Sequence, residues 1–135
     1  MRRVSSRARL VQKTQDLMRE ILKIERGDLC EICKRRRDGL GVFHILPVGG
    51  YPRLRFHFQN VLLACWYPCH KNWHHDFYKA QEIDKRIKAL RGENYKDKIA
   101  ALEFSAPKMD ALRIRMTHDA FEEHLRRLKE ARNAE

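Results

Sequence analysis

Two pairs of cysteines, Cys30-x2-Cys33 in "CEIC" and Cys65-x3-Cys69 in "CWYPC", constrain this chain more than any other feature. Each pair has the spacing at which one tight turn presents two thiolates, and two such turns complete the ligands of a tetrahedral zinc. No apolar segment approaches membrane-spanning length, and the arginine-rich start lacks the apolar stretch of a secretory signal. The expected setting is therefore intracellular and cytoplasmic, with no membrane partner. In a reducing compartment, close cysteine pairs favour metal over disulfide. The spacing predicts one structural Zn2+ on Cys30, Cys33, Cys65 and Cys69, its four thiolates leaving no open position for water. The 31 residues between Cys33 and Cys65 suit a β-hairpin, whose entrance and exit the metal would tie together.

Around this centre the patterning is helical. Apolar residues at Leu10, Val11, Leu17, Met18, Ile21, Leu22 and Ile24 predict a helix over 10–24, which Gly27 is placed to end. "VFHILPV" reads as a strand stopped by Pro47 and Gly49-Gly50. "RLRFHFQNVLLAC" alternates, with Leu54, Phe56 and Phe58 on one face and Arg53, Arg55 and His57 on the other. It reads as the returning strand or an extended arm leading into it. A helix is expected from about 70, a second over 81–90 broken at Arg91-Gly92, a third in "NYKDKIAALEF", and a last one over 118–132 capped by Thr117. The fold class is α+β: a small zinc-bound core at 28–80, a basic N-terminal helix at 1–27 and a helical extension at 81–135. The outer helices carry apolar stripes that cannot stand alone, so they should pack on the core or on a second copy, which makes a homodimer plausible.

Lys and Arg number 29 against 18 acidic residues, a formal net charge of +11. Residues 1–37 carry +7 of it, densest in Lys34-Arg35-Arg36-Arg37 directly after the first cysteine pair. Such a balance calls for a polyanion, most commonly nucleic acid, although a basic protein that is merely soluble has the same composition. Lys34, Arg35, Arg36, Arg37, Arg53 and Arg55 are the candidate phosphate contacts. The run is expected to lie near the mouth of the site with Arg53 and Arg55 beside it, and changing it should leave the zinc content unchanged. Phosphates attract these residues in DNA and RNA alike.

Histidines add a second chemistry. His70 follows the last cysteine, and His74 lies four residues on, on the same helix face, as two ligands of one metal require. His44 in the first strand has a side chain able to take a proton from water, although a strand histidine is more often hydrogen-bonded structure. Trp73 and Phe77, four apart, suit the core side of a helix. Trp66 and Tyr67 at the knuckle tip suit stacking on unpaired bases.

"CEIC … FHILP … YPRLRFHFQNVLLACWYPCHKNWHH" resembles the HNH nucleases of the ββα-metal (His-Me finger) fold, and within them the phage NinG/Rap recombination nucleases and the related Ref proteins. The resemblance covers about 10 to 90 in order and 28 to 77 in motif. It implies a metal-dependent DNA endonuclease with His44 as general base and Asn60 bracing the hairpin that orients it. It makes His70 and His74 ligands of a catalytic Mg2+ or Mn2+. The implied substrate is branched or single-stranded DNA, with a host recombinase as a further partner in a bacterial host cytoplasm. Three positions depart from the family pattern. Phe43 stands where Asp or His often adds a ligand, leaving His75 or Asp76 to supply a third. "CWYPC" has one residue more than the usual knuckle, and His57 replaces a carboxylate or amide. Two alternatives share these features: a non-catalytic zinc-stabilised DNA-binding or recombination accessory protein, and a nicking HNH enzyme of homing or packaging type.

Overall fold

Ser5 opens the first helix: its side-chain oxygen accepts the Ala8 N–H at 3.1 Å, giving one of the orphan donors of the first turn a partner. The computed structural model describes residues 5–134. Residues 1–4 of the expected N-terminal segment and residue 135 of the C-terminal one lie outside the described residues. α1 (Ser6–Arg26) buries Met18, Ile21 and Leu22 along one stripe and ends at Gly27, whose φ of 87° is open to glycine at little steric cost.

After the first cysteine turn, β1 (Leu40–His44) pairs antiparallel with β2 (Val61–Cys65), Leu40 facing Cys65 and His44 facing Val61. The strand expected in "VFHILPV" thus stops at His44: the Ile45 N–H still reaches Asn60 O at 2.8 Å, but the Leu46 N–H goes to the Asn60 side chain and Pro47 has no N–H to pair. Of the two readings of 53–65, an arm leads into a strand of five residues. Leu54 and Phe56 are buried while Arg53, Arg55 and His57 are not, so the alternation survives. The backbone, however, coils into 3-10 turns at Pro52–Leu54 and Phe58–Asn60.

The outer edge of β2 is closed by side chains. Glu31 donates its N–H to Leu63 O at 2.8 Å, and its carboxylate accepts the Leu63 N–H at 2.6 Å. Arg26 pairs with that carboxylate at 3.2 Å and donates to Val61 O at 2.7 Å and Phe58 O at 2.9 Å. Arg91 adds a bond to Val61 O at 3.1 Å. A sheet edge left open would bind other chains or lose its hydrogen bonds on burial.

A kinked turn through Trp66–His70 leads into α2 (Lys71–His75), followed by α3 (Phe77–Arg91), α4 (Tyr95–Leu102) and α5 (Ala111–Asn133). Three helix starts differ from expectation: α1 begins at Ser6 rather than 10 through its Ser5 cap, and the other two begin early through an aspartate cap. Asp76 accepts the Lys79 N–H at 3.0 Å, so α3 begins before 81. Asp110 accepts the Arg113 N–H at 2.8 Å, so α5 begins well before 118. Thr117 is no cap; its hydroxyl donates to Arg113 O within the helix at 2.8 Å. The break at Asp76 puts Trp73 and Phe77 on different helices: Trp73 packs on the core, while Phe77 is 73% exposed.

α1 and α5 run side by side in the same direction, linked by Arg7 Nη2 to Met109 O at 3.2 Å near their starts and by His124 with Glu25 at 2.6 Å further along. The stripes expected at 10–24 and 118–132 therefore pack within one chain, while Leu112 and Met116 near the start of α5 stay exposed. Met18, Phe43, Leu62, Ile87, Ile99, Ile114 and Phe121 all belong to one buried cluster, continuous across the segments 1–27, 28–80 and 81–135. The boundary drawn between 80 and 81 falls inside α3. Among the described residues no helix is long and apolar enough to cross a membrane.

Candidate metal centre and histidine cavity

The two cysteine turns converge. One ligand atom from each of Cys30, Cys33, Cys65 and Cys69 lies within 4.8 Å of every other. The Sγ atoms of Cys30 and Cys69 are 3.7 Å apart, and those of Cys33 and Cys65 are 4.0 Å apart. A tetrahedron with Zn–S bonds of ~2.3 Å has S···S edges of about 3.8 Å, so the cluster has the size of a zinc site. The first turn is shaped for it: the Cys33 N–H points at Cys30 Sγ at 3.4 Å, and Lys34 takes a positive φ of 62° to redirect the chain.

Four thiolates so close repel unless a cation sits among them. The Cys30 thiol is drawn down to about 4 by its contact with the Cys69 side chain and by backbone N–H groups. Cys69 is pushed up by the same contact and by burial, and Cys65 by burial. The Cys33 side chain raises the Arg37 pKa above the ordinary guanidinium value, and Arg37 Nε is buried without a hydrogen-bond partner of its own. The four sulfurs can hold a metal ion such as zinc.

A cavity of about 580 Å³ lies between the end of β1 and α2, lined by His44, His70, His74, Trp73, Lys96 and residues 45–48. His44 Nε2 is 2.9 Å from Arg55 O, a bond that the carbonyl can only accept, so Nε2 carries the proton and Nδ1 keeps its lone pair. Burial holds the His44 imidazole below the usual histidine value, only partly offset by that bond. His70 is lowered too, by burial and by the nearby His74 and His44 rings. The His70 and His74 rings stand 4.9 Å apart, as expected for one helix face. Phe43 is buried edge-on beneath His70 at 5.2 Å and Trp73 at 5.8 Å, so it supports this wall of the cavity from the core.

Asn60 is fully buried at the turn into β2. Its Oδ1 accepts the Leu46 N–H at 2.8 Å, while Nδ2 donates to Leu46 O at 3.1 Å and Leu54 O at 3.3 Å. Those bonds pin both ends of the loop between the strands, next to the carbonyl that holds His44. His57 has a local task, its Nδ1 accepting the Gln59 N–H at 3.2 Å. Asp76 is committed to capping α3, and among the described residues no third Cys, His, Asp or Glu ligand atom closes on His70 and His74.

The basic candidates do not gather at one mouth. Arg36 and Arg37 line a depression with Asp28 and Asp38, and Arg53 and Arg55 line another with Arg7 and Lys108. Neither shares a residue with the histidine cavity. Lys34, Arg35 and Arg36 are exposed, whereas Arg37 is half-buried. Trp66 and Tyr67 are exposed at the knuckle tip, 56% and 64%.

Lys96 is the lining residue that no sequence signal pointed to. The Tyr95 hydroxyl donates to Asp84, which seats the start of α4 on α3 and leaves Lys96 Nζ 5.8 Å from the Trp73 ring. No family model, curated protein or solved structure matches the chain.

Proposed function

We propose that this chain is a metal-dependent DNA endonuclease of the HNH type, with a structural zinc on its four cysteines and a ββα-metal core formed by β1, β2 and α2. The observation that carries this is the meeting of His44, His70 and His74 on one cavity beside the cysteine cluster. His44 Nδ1 is the base: it takes a proton from water, whose oxygen attacks phosphorus as the P–O3′ bond breaks, and the departing 3′ oxygen takes a proton from solvent, leaving 5′-phosphate and 3′-hydroxyl ends. Its lowered pKa keeps the ring neutral near pH 7, and the Arg55 carbonyl stabilises the imidazolium once the proton is taken. Lys96 offers a cation to the phosphate at the rim.

Two imidazoles without a carboxylate suit a transition ion better than Mg2+, which prefers oxygen ligands. When bound by His70 and His74, such an ion supplies positive charge to the phosphate as the bond breaks. We take the substrate to be branched or single-stranded DNA, handled together with a host recombinase.

The lack of a third ligand on His70 and His74 among the described residues favours a second reading, a zinc-stabilised DNA-binding accessory protein without catalysis. One gel separates the two: labelled Holliday junction, single strand and duplex with Mg2+, Mn2+, Ni2+ or Zn2+, for the parent and His44→Ala. Cleavage by the parent that His44→Ala abolishes supports the nuclease. Binding without cleavage in any metal supports the accessory protein, and equal cleavage by both chains removes His44 from the mechanism.

A further inference from the structure

The groove between the start of α1, the arm at 51–57 and the linker into α5 collects four cations. Arg7, Arg53, Arg55 and Lys108 line a cavity of about 570 Å³ in which Asp110 is the only carboxylate among the described residues. Asp110 is already engaged in capping α5 through the Arg113 N–H. Among the described residues none of the four cations makes an ion pair. Arg7 and Arg53 instead hold peptide oxygens, Met109 O at 3.2 Å and Ala106 O at 3.3 Å, which orients them but leaves their charge and most of their donors unused. Arg55 is partly desolvated and faces Arg7, and both influences lower its pKa. A simply solvated face lets like charges splay apart; here the backbone carbonyls hold them together.

We infer that this groove binds the sugar–phosphate backbone of DNA, at phosphates flanking the one presented to His44. The identity of the polymer rests on the nuclease proposal; the groove's preference for phosphodiester anions rests on its own residues. Its size lies within the ~300–1,000 Å³ of ligand cavities, more room than one inorganic phosphate fills. Planar guanidinium groups suit phosphate oxygens bidentately. Arg55 links the two places: its side chain lines the groove, and its carbonyl accepts from His44 Nε2. Backbone held by Arg55 therefore lies one residue from the bond that orients the base. Three segments distant in sequence build the groove, so it forms only when α1 and the linker dock beside the hairpin arm.

The test is fluorescence anisotropy of labelled junction and duplex DNA on the zinc-loaded full chain, across a salt series with no other divalent metal. Arg53→Gln/Lys108→Gln is compared with the parent and with Lys129→Gln/Arg132→Gln, a pair in a separate depression beside the C-terminal part of α1. Each phosphate neutralised adds about 0.9 to the slope of log affinity against log salt, so losing two contacts should flatten it by about 2 for every DNA sequence. The control pair should leave it nearly unchanged, and Lys108→Gln alone, at an exposed side chain, should flatten it by about 1. Zinc content and circular dichroism report that each variant is folded.

An unchanged slope in the groove variants overturns the proposal, as does equal flattening by both pairs, the mark of diffuse charge. So does thermal stabilisation of the parent by inorganic phosphate with no effect of the groove variants on DNA binding. Cleavage assays on the same preparations separate the two proposals. Cleavage with an unchanged slope removes the groove alone; a flattened slope with no cleavage in any metal removes the nuclease and leaves the groove. A parent without salt-dependent DNA binding removes both.

Discussion

Replacing Asn60 with alanine strips the hairpin loop of its brace while leaving every proposed ligand in place. Asn60 is 0% exposed, and its side chain is partner to the N–H and C=O of Leu46 and the C=O of Leu54. Without it the Leu46 N–H, at a buried residue, has no acceptor, which costs roughly 1–3 kcal/mol. The Leu46 carbonyl adds about 1 kcal/mol. Leu54 O still accepts the His57 N–H at 3.2 Å, so its share is small. With the lost packing, the sum is about 3–4 kcal/mol, a large part of a total stability of ~5–15 kcal/mol. Urea denaturation of the zinc-loaded chain should show the midpoint falling by about 1.5–2 M at an unchanged slope. Cleavage should fall further than DNA binding, because the loosened loop carries the Arg55 carbonyl that holds His44. A loss below about 1 kcal/mol would show that the loop satisfies its own backbone and that Asn60 braces nothing.

Stripping metal with a strong chelator at neutral pH should unfold the centre of the chain, since structural zinc contributes on the order of 10 kcal/mol in comparable sites; unchanged circular dichroism at substoichiometric zinc would contradict this. Three of the sulfurs act on the charge of Arg37, so Arg37→Gln should make zinc easier to remove in chelator competition, whereas Arg35→Gln should not. Equal zinc retention by both would return Arg37 to the solvated run. His44 has a folded pKa below its unfolded value, so its contribution to stability is complete above about pH 6.5 and is lost as pH falls through the lowered folded value. His44→Gln should therefore lose less stability than the parent between neutral and mildly acid pH, and parallel curves would dissociate His44 from that loss.

The gathering of the four cysteines was legible in the sequence because ligand spacing is a local constraint: a turn of three or four peptide bonds either presents two sulfurs or does not. Gly27 as a helix stop and the burial of Leu54 and Phe56 were legible for the same reason, each set by backbone freedom or alternation within a few residues. Helix starts were less so. Asp76 and Asp110 compete with other polar residues for the capping position, and in the fold the aspartates win. Thr117 turned inward to its own helix instead. What only the tertiary structure decided is which distant side chains share a space. Lys96 reaches the histidine cavity because buried Tyr95 anchors α4 on Asp84. Arg7 and Lys108 join Arg53 and Arg55 because α1 and the linker to α5 dock beside the hairpin arm. Short-range geometry is written in neighbouring residues, whereas a groove assembled from residues 7, 53 and 108 exists only after burial of the apolar core has brought their segments together.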